Sequence, residues 1–94
     1  MTYKLKFLPV ALKEWKKLGA PVRAQFKKKL AERLEEPHVL ADKLRGHESV
    51  YKIKLRALGY RLVYLAENSE LTVCVIAVGK REKGKVYRLL KSRK

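Results

Sequence analysis

Lys52, Lys54 and Arg56 alternate with Tyr51, Ile53 and Leu55 across residues 50–56. In an extended chain alternate side chains share a face and stand ~7 Å apart. Like charges so placed repel unless an anion bridges them, and folding alone does not call for them. Arg61 follows the short loop Ala57-Leu58-Gly59 and can return to the same face, while Lys80 and Arg81 close a later apolar run. A cluster of this kind matches a bent phosphodiester backbone. Tyr87, about two helical turns past Arg81, offers the flat ring that stacking on an unpaired base requires. Core packing with Leu90 is its ordinary alternative.

The reaction such residues support is phosphodiester cleavage, in which a ribose 2′-OH attacks the adjacent phosphate and the site stabilises the added negative charge. A lysine crowded by cations has its charged form disfavoured, which frees a neutral amine as general base. Lys52 and Lys54 beside Arg61 meet that condition. His38 and His47 lie apart from this face, in an irregular connection, and are poor candidates for an acid–base pair. No His/Cys spacing suits a metal, no glycine-rich phosphate loop occurs and no serine-centred motif appears, so neither a metal nor another cofactor is expected. On chemistry alone, binding RNA and cutting it stand close.

These residues need elements to hold them. Tyr3, Leu5 and Phe7 alternate with Lys4 and Lys6, predicting a half-buried first strand. Pro9 opens a short helix with Ala11, Leu12, Trp15 and Leu18 at helical spacing, ending at Gly19. Pro21 opens a second, in which Val22, Phe26, Leu30 and Leu34 form the apolar stripe and Lys27, Lys28, Lys29 and Arg33 mostly fall elsewhere, a solvated face that can steer RNA. Glu36-Pro37 ends it, and residues 37–47 read as a partly packed connection. Strands follow over residues 50–56, 60–66 and 71–78, the last nearly all apolar and therefore central. Residues 80–94 hold eight Lys or Arg against one acid and predict a basic terminal helix. The order β-α-α-β-β-β-α predicts an α+β fold with helices packed on an antiparallel sheet, a single domain over residues 1–94.

Composition agrees. The chain has 94 residues and a net charge of +15, from 24 Lys and Arg against 9 Asp and Glu, with 47% apolar residues. That is too much hydrophobic material for a disordered basic tail, and the charge calls for a polyanionic or acidic partner. The lone Cys74 excludes an internal disulfide and suits a reducing cytoplasm. No apolar run is long enough to span a membrane and no signal-peptide pattern opens the chain.

Taken together, residues 11–19 (ALKEWKKLG), 43–46 (KLRG), 51–56 (YKIKLR), 59–64 (GYRLVY) and 78–82 (VGKRE), with Val86 and Tyr87, resemble the RelE toxins of bacterial type II toxin–antitoxin modules, within the RelE/ParE superfamily. The similarity runs along nearly the whole chain. It implies a relative of the microbial ribonuclease fold, acting as a ribosome-dependent endoribonuclease (an mRNA interferase) that enters the ribosomal A site, cuts the bound mRNA within the codon and halts translation. Under the resemblance Lys52 and Lys54 are the base and electrostatic partners at the 2′-OH, with Lys54 the preferred base. Arg61 braces the scissile phosphate, Arg81 stabilises charge and helps the 5′-oxygen leave, and Tyr87 stacks. Arg45, Arg56, Lys80, Lys27 and Lys28 contact substrate or ribosomal RNA. The implied partners are the 70S ribosome with its small-subunit rRNA, mRNA and a RelB-type antitoxin, with operator DNA reached only through the antitoxin complex and no membrane. The alternatives are a ParE-like inhibitor of DNA gyrase and a non-catalytic RNA- or ribosome-binding protein.

Overall fold

A computed structural model of the chain describes residues 2–80. The elements are β1 (Lys4–Phe7), α1 (Pro9–Lys16), α2 (Ala20–Glu35), a 3-10 turn (Leu40–Asp42), β2 (Val50–Leu55), β3 (Tyr60–Glu67) and β4 (Thr72–Lys80). The terminal helix expected after Gly79 falls on residues outside this range. Pro9 and Pro21 sit in the first turns of their helices, where no N–H is needed and the ring pre-sets φ. Glu36, before Pro37, has already left helical geometry at φ −140°, as the proline ring demands of the residue preceding it. No helix among the described residues is long and apolar enough to cross a membrane.

The strands form one sheet in the order β1-β4-β3-β2. β2, β3 and β4 are antiparallel neighbours, but β1 lies parallel to β4, so the sheet is mixed where an all-antiparallel one was expected. The cause is the helical pair. β1 and β2 run the same way at opposite edges, and α1 with α2 carries the chain back from the end of one to the start of the other, the long connection that parallel strands need. As a short edge strand β1 also leaves Leu5 41% exposed, although the alternation assigned that residue to the core.

Both helices pack on one face of the sheet. Ala11, Phe26 and Leu30 meet Tyr51, Ile53, Leu55, Leu62, Tyr64, Val73, Val75 and Val78 in the main core. Complete burial of a side chain such as Ile53 stabilises the fold by about 1.5–3 kcal/mol, so the odd-numbered residues anchor β2 from below. On the opposite face a smaller apolar cluster gathers Leu44, Val50, Val63, Ile76 and Ala77. Ile76 and Ala77 share it because the β3–β4 register jumps from Val63↔Ala77 to Tyr64↔Val75, leaving Ile76 as an extra residue, a β-bulge. From that point on, the parity of β4 is reversed.

A polar network lies within the helix-facing layer. Arg33, expected off the packed stripe, is on it, and its guanidinium pairs with Asp42 at 2.5 Å, donates to the Tyr64 hydroxyl at 3.0 Å and donates to the carbonyl of Lys52 at 3.2 Å. Burial disfavours its charge, but Tyr64 and Asp42 outweigh that and raise its pKa. Tyr64 donates its own proton to the Pro37 carbonyl at 2.7 Å, and burial pushes its phenol up. Tyr51 stacks on Tyr64, with centroids 5.6 Å apart. His38 stands edge-on to Tyr51, its Nδ1 2.9 Å from the Tyr51 hydroxyl and its Nε2 2.7 Å from Asn68 Oδ1. The histidine therefore fastens the connection after α2 to the sheet. Tyr64→Phe leaves the Pro37 carbonyl and one Arg33 donor without that partner and should cost about 1–3 kcal/mol in urea unfolding; an unchanged midpoint would contradict this role.

Candidate active site

Pairing of β2 with β3 determines which side chains meet above the sheet. Lys54 lies directly opposite Arg61 and Lys52 opposite Val63, so Lys52, Lys54, Arg61 and Val63 share one face. Gly59, at φ +71°, adopts the left-handed geometry that closes the turn between the two strands and brings Arg61 back over Lys54. Directly paired residues in an antiparallel ladder have their Cβ atoms ~4.5–5.5 Å apart, close enough for the two cations to feel each other strongly. On β4, Gly79 pairs with Arg61, and among the described residues a Cβ placed there would meet nothing within 4 Å.

The electrostatics follow from this crowding. The Lys52 charge above all, then partial desolvation, a hydrogen bond with Lys52 and the charges of Arg61 and Arg56, hold the Lys54 amine below the ordinary lysine value. A neutral amine is thus more accessible at Lys54 than on a typical surface lysine. Arg56 lies in the exposed turn just past β2.

The other expected contact residues divide by face. Arg45 is exposed on the loop whose neighbour Leu44 packs into the apolar cluster on the cationic side, and the Leu44 amide ties that loop to β2 by donating to the Val50 carbonyl at 2.9 Å. Lys27 and Lys28 are exposed on α2, which packs against the far side of the sheet, so they are not brought to the cluster. Lys80, expected beside Arg61, instead pairs with Tyr60 at the end of β4, out of phase with Gly79. The bulge at Ile76 is the reason, since unbroken alternation from Cys74 would have put residue 80 on the cationic side. Arg81 and Tyr87 lie outside the described residues. The Arg33–Asp42 pair has one signal in the sequence, a charged residue three positions after Leu30 on the packed stripe, where it needs a partner.

What this arrangement resembles is specific. The family model described as "ParE toxin of type II toxin-antitoxin system, parDE" matches residues 5–84. The chain is 58% identical over 87 residues to the mRNA interferase toxin RelE of Escherichia coli strain K12, covering 93% of this chain and 92% of that one. The chain belongs to the RelE toxin family. Its fold agrees: a mutant of the E. coli toxin in the free state superimposes with a TM-score of 0.92 at 54% identity, over 99% of this chain and 98% of that one. The toxin in the intact E. coli RelBE toxin–antitoxin complex gives 0.82 at 57% identity, over 85% and 98%. The expected α+β class and the family are thus borne out, with the sheet mixed in place of all-antiparallel.

Because the folded-state pKa of Lys54 is lowered, the unfolded chain binds more protons between that value and the ordinary 10.5. Stability should therefore rise with pH through that window, and the repulsion is fully present below it. Lys54→Met should raise the melting temperature at neutral pH and remove that share of the pH dependence. A lower melting temperature for the variant would contradict the crowding.

Proposed function

We propose that this chain is the toxin of a type II toxin–antitoxin module and cleaves mRNA in the ribosomal A site by attack of a ribose 2′-OH on the adjacent phosphate. The observation that carries the reading is the cationic face itself: Lys54 directly across from Arg61, with Lys52 on the same side and the Lys54 amine held below its ordinary value. The E. coli relative is named an mRNA interferase, which matches what such a face can do.

In this reading neutral Lys54 takes the proton of the 2′-OH, and the oxygen attacks phosphorus. As that bond forms, the bond to the 5′-oxygen breaks, leaving a 2′,3′-cyclic phosphate and a 5′-oxygen that takes a proton from water to become the 5′-hydroxyl. Lys52 and Arg61 stabilise the charge that gathers on the phosphoryl oxygens, an electrostatic contribution that is large where the cations are already in place. Arg81 assists the leaving oxygen and Tyr87 stacks on a neighbouring base. Arg45, exposed beside Leu44, and Arg56, in the turn just past Lys54, serve RNA positioning through phosphate contacts; Lys27, Lys28 and Lys80 belong to other surfaces and meet ribosomal RNA there.

The partners follow. The 70S ribosome presents mRNA with its small-subunit rRNA around the A site, a RelB-type antitoxin neutralises the toxin, and operator DNA is contacted through that complex. The protein works in the bacterial cytoplasm.

The test is to map the ends of an mRNA programmed on purified 70S ribosomes with an empty A site, beside the same RNA free in solution. A ribosome-dependent cut within the A-site codon is expected, and replacing Lys52 and Lys54 together by alanine should reduce its rate by several orders of magnitude. Intact RNA in both settings would overturn the reading and direct attention to gyrase inhibition or simple RNA binding.

A further inference from the structure

β2 is the edge of the sheet, and the cations it carries repel one another across and along the strand. Its inner edge is secured by β3. Its outer edge is tied at two carbonyls of the same parity: Val50 accepts from the Leu44 amide at 2.9 Å, and Lys52 accepts from Arg33 Nη1 at 3.2 Å. The isolated bridge between Lys43 and Tyr51 covers only the first half of the strand. Among the described residues the arginine is thus the last tie on that edge before Lys54, and it comes from α2, beneath the sheet. Its grip is itself fixed, since the same guanidinium is held by Asp42 at 2.5 Å on one side and by the Tyr64 hydroxyl at 3.0 Å on the other. The side chains of the Arg33–Asp42 pair are only 14% and 29% exposed, so solvent competes weakly for them.

We propose that Arg33 is a positioning residue for the proposed active site, holding the outward-facing carbonyl of Lys52 so that the Lys52 and Lys54 side chains stay crowded against Arg61. The inference rests on the reading of Lys52 and Lys54 as the reacting pair. It adds to that reading a device on the far side of the sheet that opposes the outward push of like charges on an edge strand. Among the described residues, the groups facing Lys54 are Lys52 and Arg56 along its own segment and Arg61 from β3, while β4 brings Gly79, which has no charge, beside Arg61. Arg33 and Asp42 act from the strand's outer edge and do not belong to the cationic face. Once the Lys52 carbonyl is released, the edge relaxes, the Lys52–Lys54 repulsion eases and Lys54 moves back toward an ordinary lysine.

The test follows the Lys54 Cε resonance in lysine-labelled protein as pH is raised, for the wild type, Arg33→Met, Arg33→Lys and Asp42→Asn, together with single-turnover cleavage of ribosome-bound mRNA at neutral pH. Arg33→Met should raise the Lys54 midpoint by about one pH unit and slow cleavage about tenfold, as the neutral fraction of the amine falls in proportion. Arg33→Lys, which keeps a cation for Asp42 and a donor for the carbonyl, should recover part of both effects. Asp42→Asn, which loosens the arginine without deleting it, should shift the midpoint in the same direction by less. Leu30→Ala serves as the control: it destabilises the α2 core without touching Lys52, and should leave the midpoint and the rate per folded molecule unchanged. An unmoved Lys54 midpoint in Arg33→Met, or an equal shift in Leu30→Ala, would overturn the proposal. A midpoint that shifts in Arg33→Met while the wild type fails to cut ribosome-bound mRNA would keep the positioning role and sink the functional reading, whereas normal wild-type cutting with an unmoved midpoint in Arg33→Met would do the reverse.

Discussion

Repulsion between cations on one edge of a small sheet is the constraint from which most of this structure can be understood. Lys52 and Lys54 alternate on β2, Arg61 faces Lys54 from β3, and Arg56 follows in the turn. No arrangement of these residues for its own stability would choose this placement. The strand that carries them is therefore held from beneath by Tyr51, Ile53 and Leu55, all nearly or completely buried. Next to the crowded cations the same face turns apolar, where Val50, Val63, Ile76, Ala77 and Leu44 pack together. A preformed cluster of positive charge is what a developing phosphoryl anion requires, since groups already in place need not reorganise as charge builds.

The same strand also explains why the polar network sits where it does. Tyr64 is fully buried at the centre of the sheet, and its hydroxyl links the Pro37 carbonyl to Arg33, while Tyr51 stacks on its ring and His38 meets Tyr51 edge-on. These contacts join the end of α2 and the connection after it to β2 and β3. Each partner is satisfied, which is the condition for buried polar groups to strengthen a fold. The cationic face is thus supported by a rigid underside, and the helical layer takes part in the site without contributing a side chain to its surface.

Much of this was legible in residue order. The alternation of Lys52, Lys54 and Arg56 with Tyr51, Ile53 and Leu55 announced both the strand and its two faces, and Pro9, Pro21 and Pro37 marked the helix boundaries within a residue or two. The direction of β1 was not legible, because periodicity reports which face a side chain takes and carries nothing about which neighbour a strand chooses. Nor was the bulge, which reversed the parity of β4 and took Lys80 away from Arg61; in a run as apolar as residues 71–78, buried on both faces, alternation has no contrast to register a slip. Arg33 was misassigned for a related reason. Its spacing from Leu30 put it on the packed stripe, yet its charge argued for water, and only the positions of Asp42, Tyr64 and the Lys52 carbonyl resolve the conflict.

Membership of the RelE toxin family narrows the chemistry, and the crowding at Lys54 is its central electrostatic feature. The most direct measurement is the single-turnover rate of cleavage of ribosome-bound mRNA from neutral to alkaline pH, for the wild type and for Lys54→Arg, which keeps the cation but offers no neutral amine in that range. With Lys54 as the base, the wild-type rate rises with pH and levels off below the ordinary lysine value, and the variant is slow and flat. A variant that cuts at the wild-type rate with the same pH dependence would contradict it.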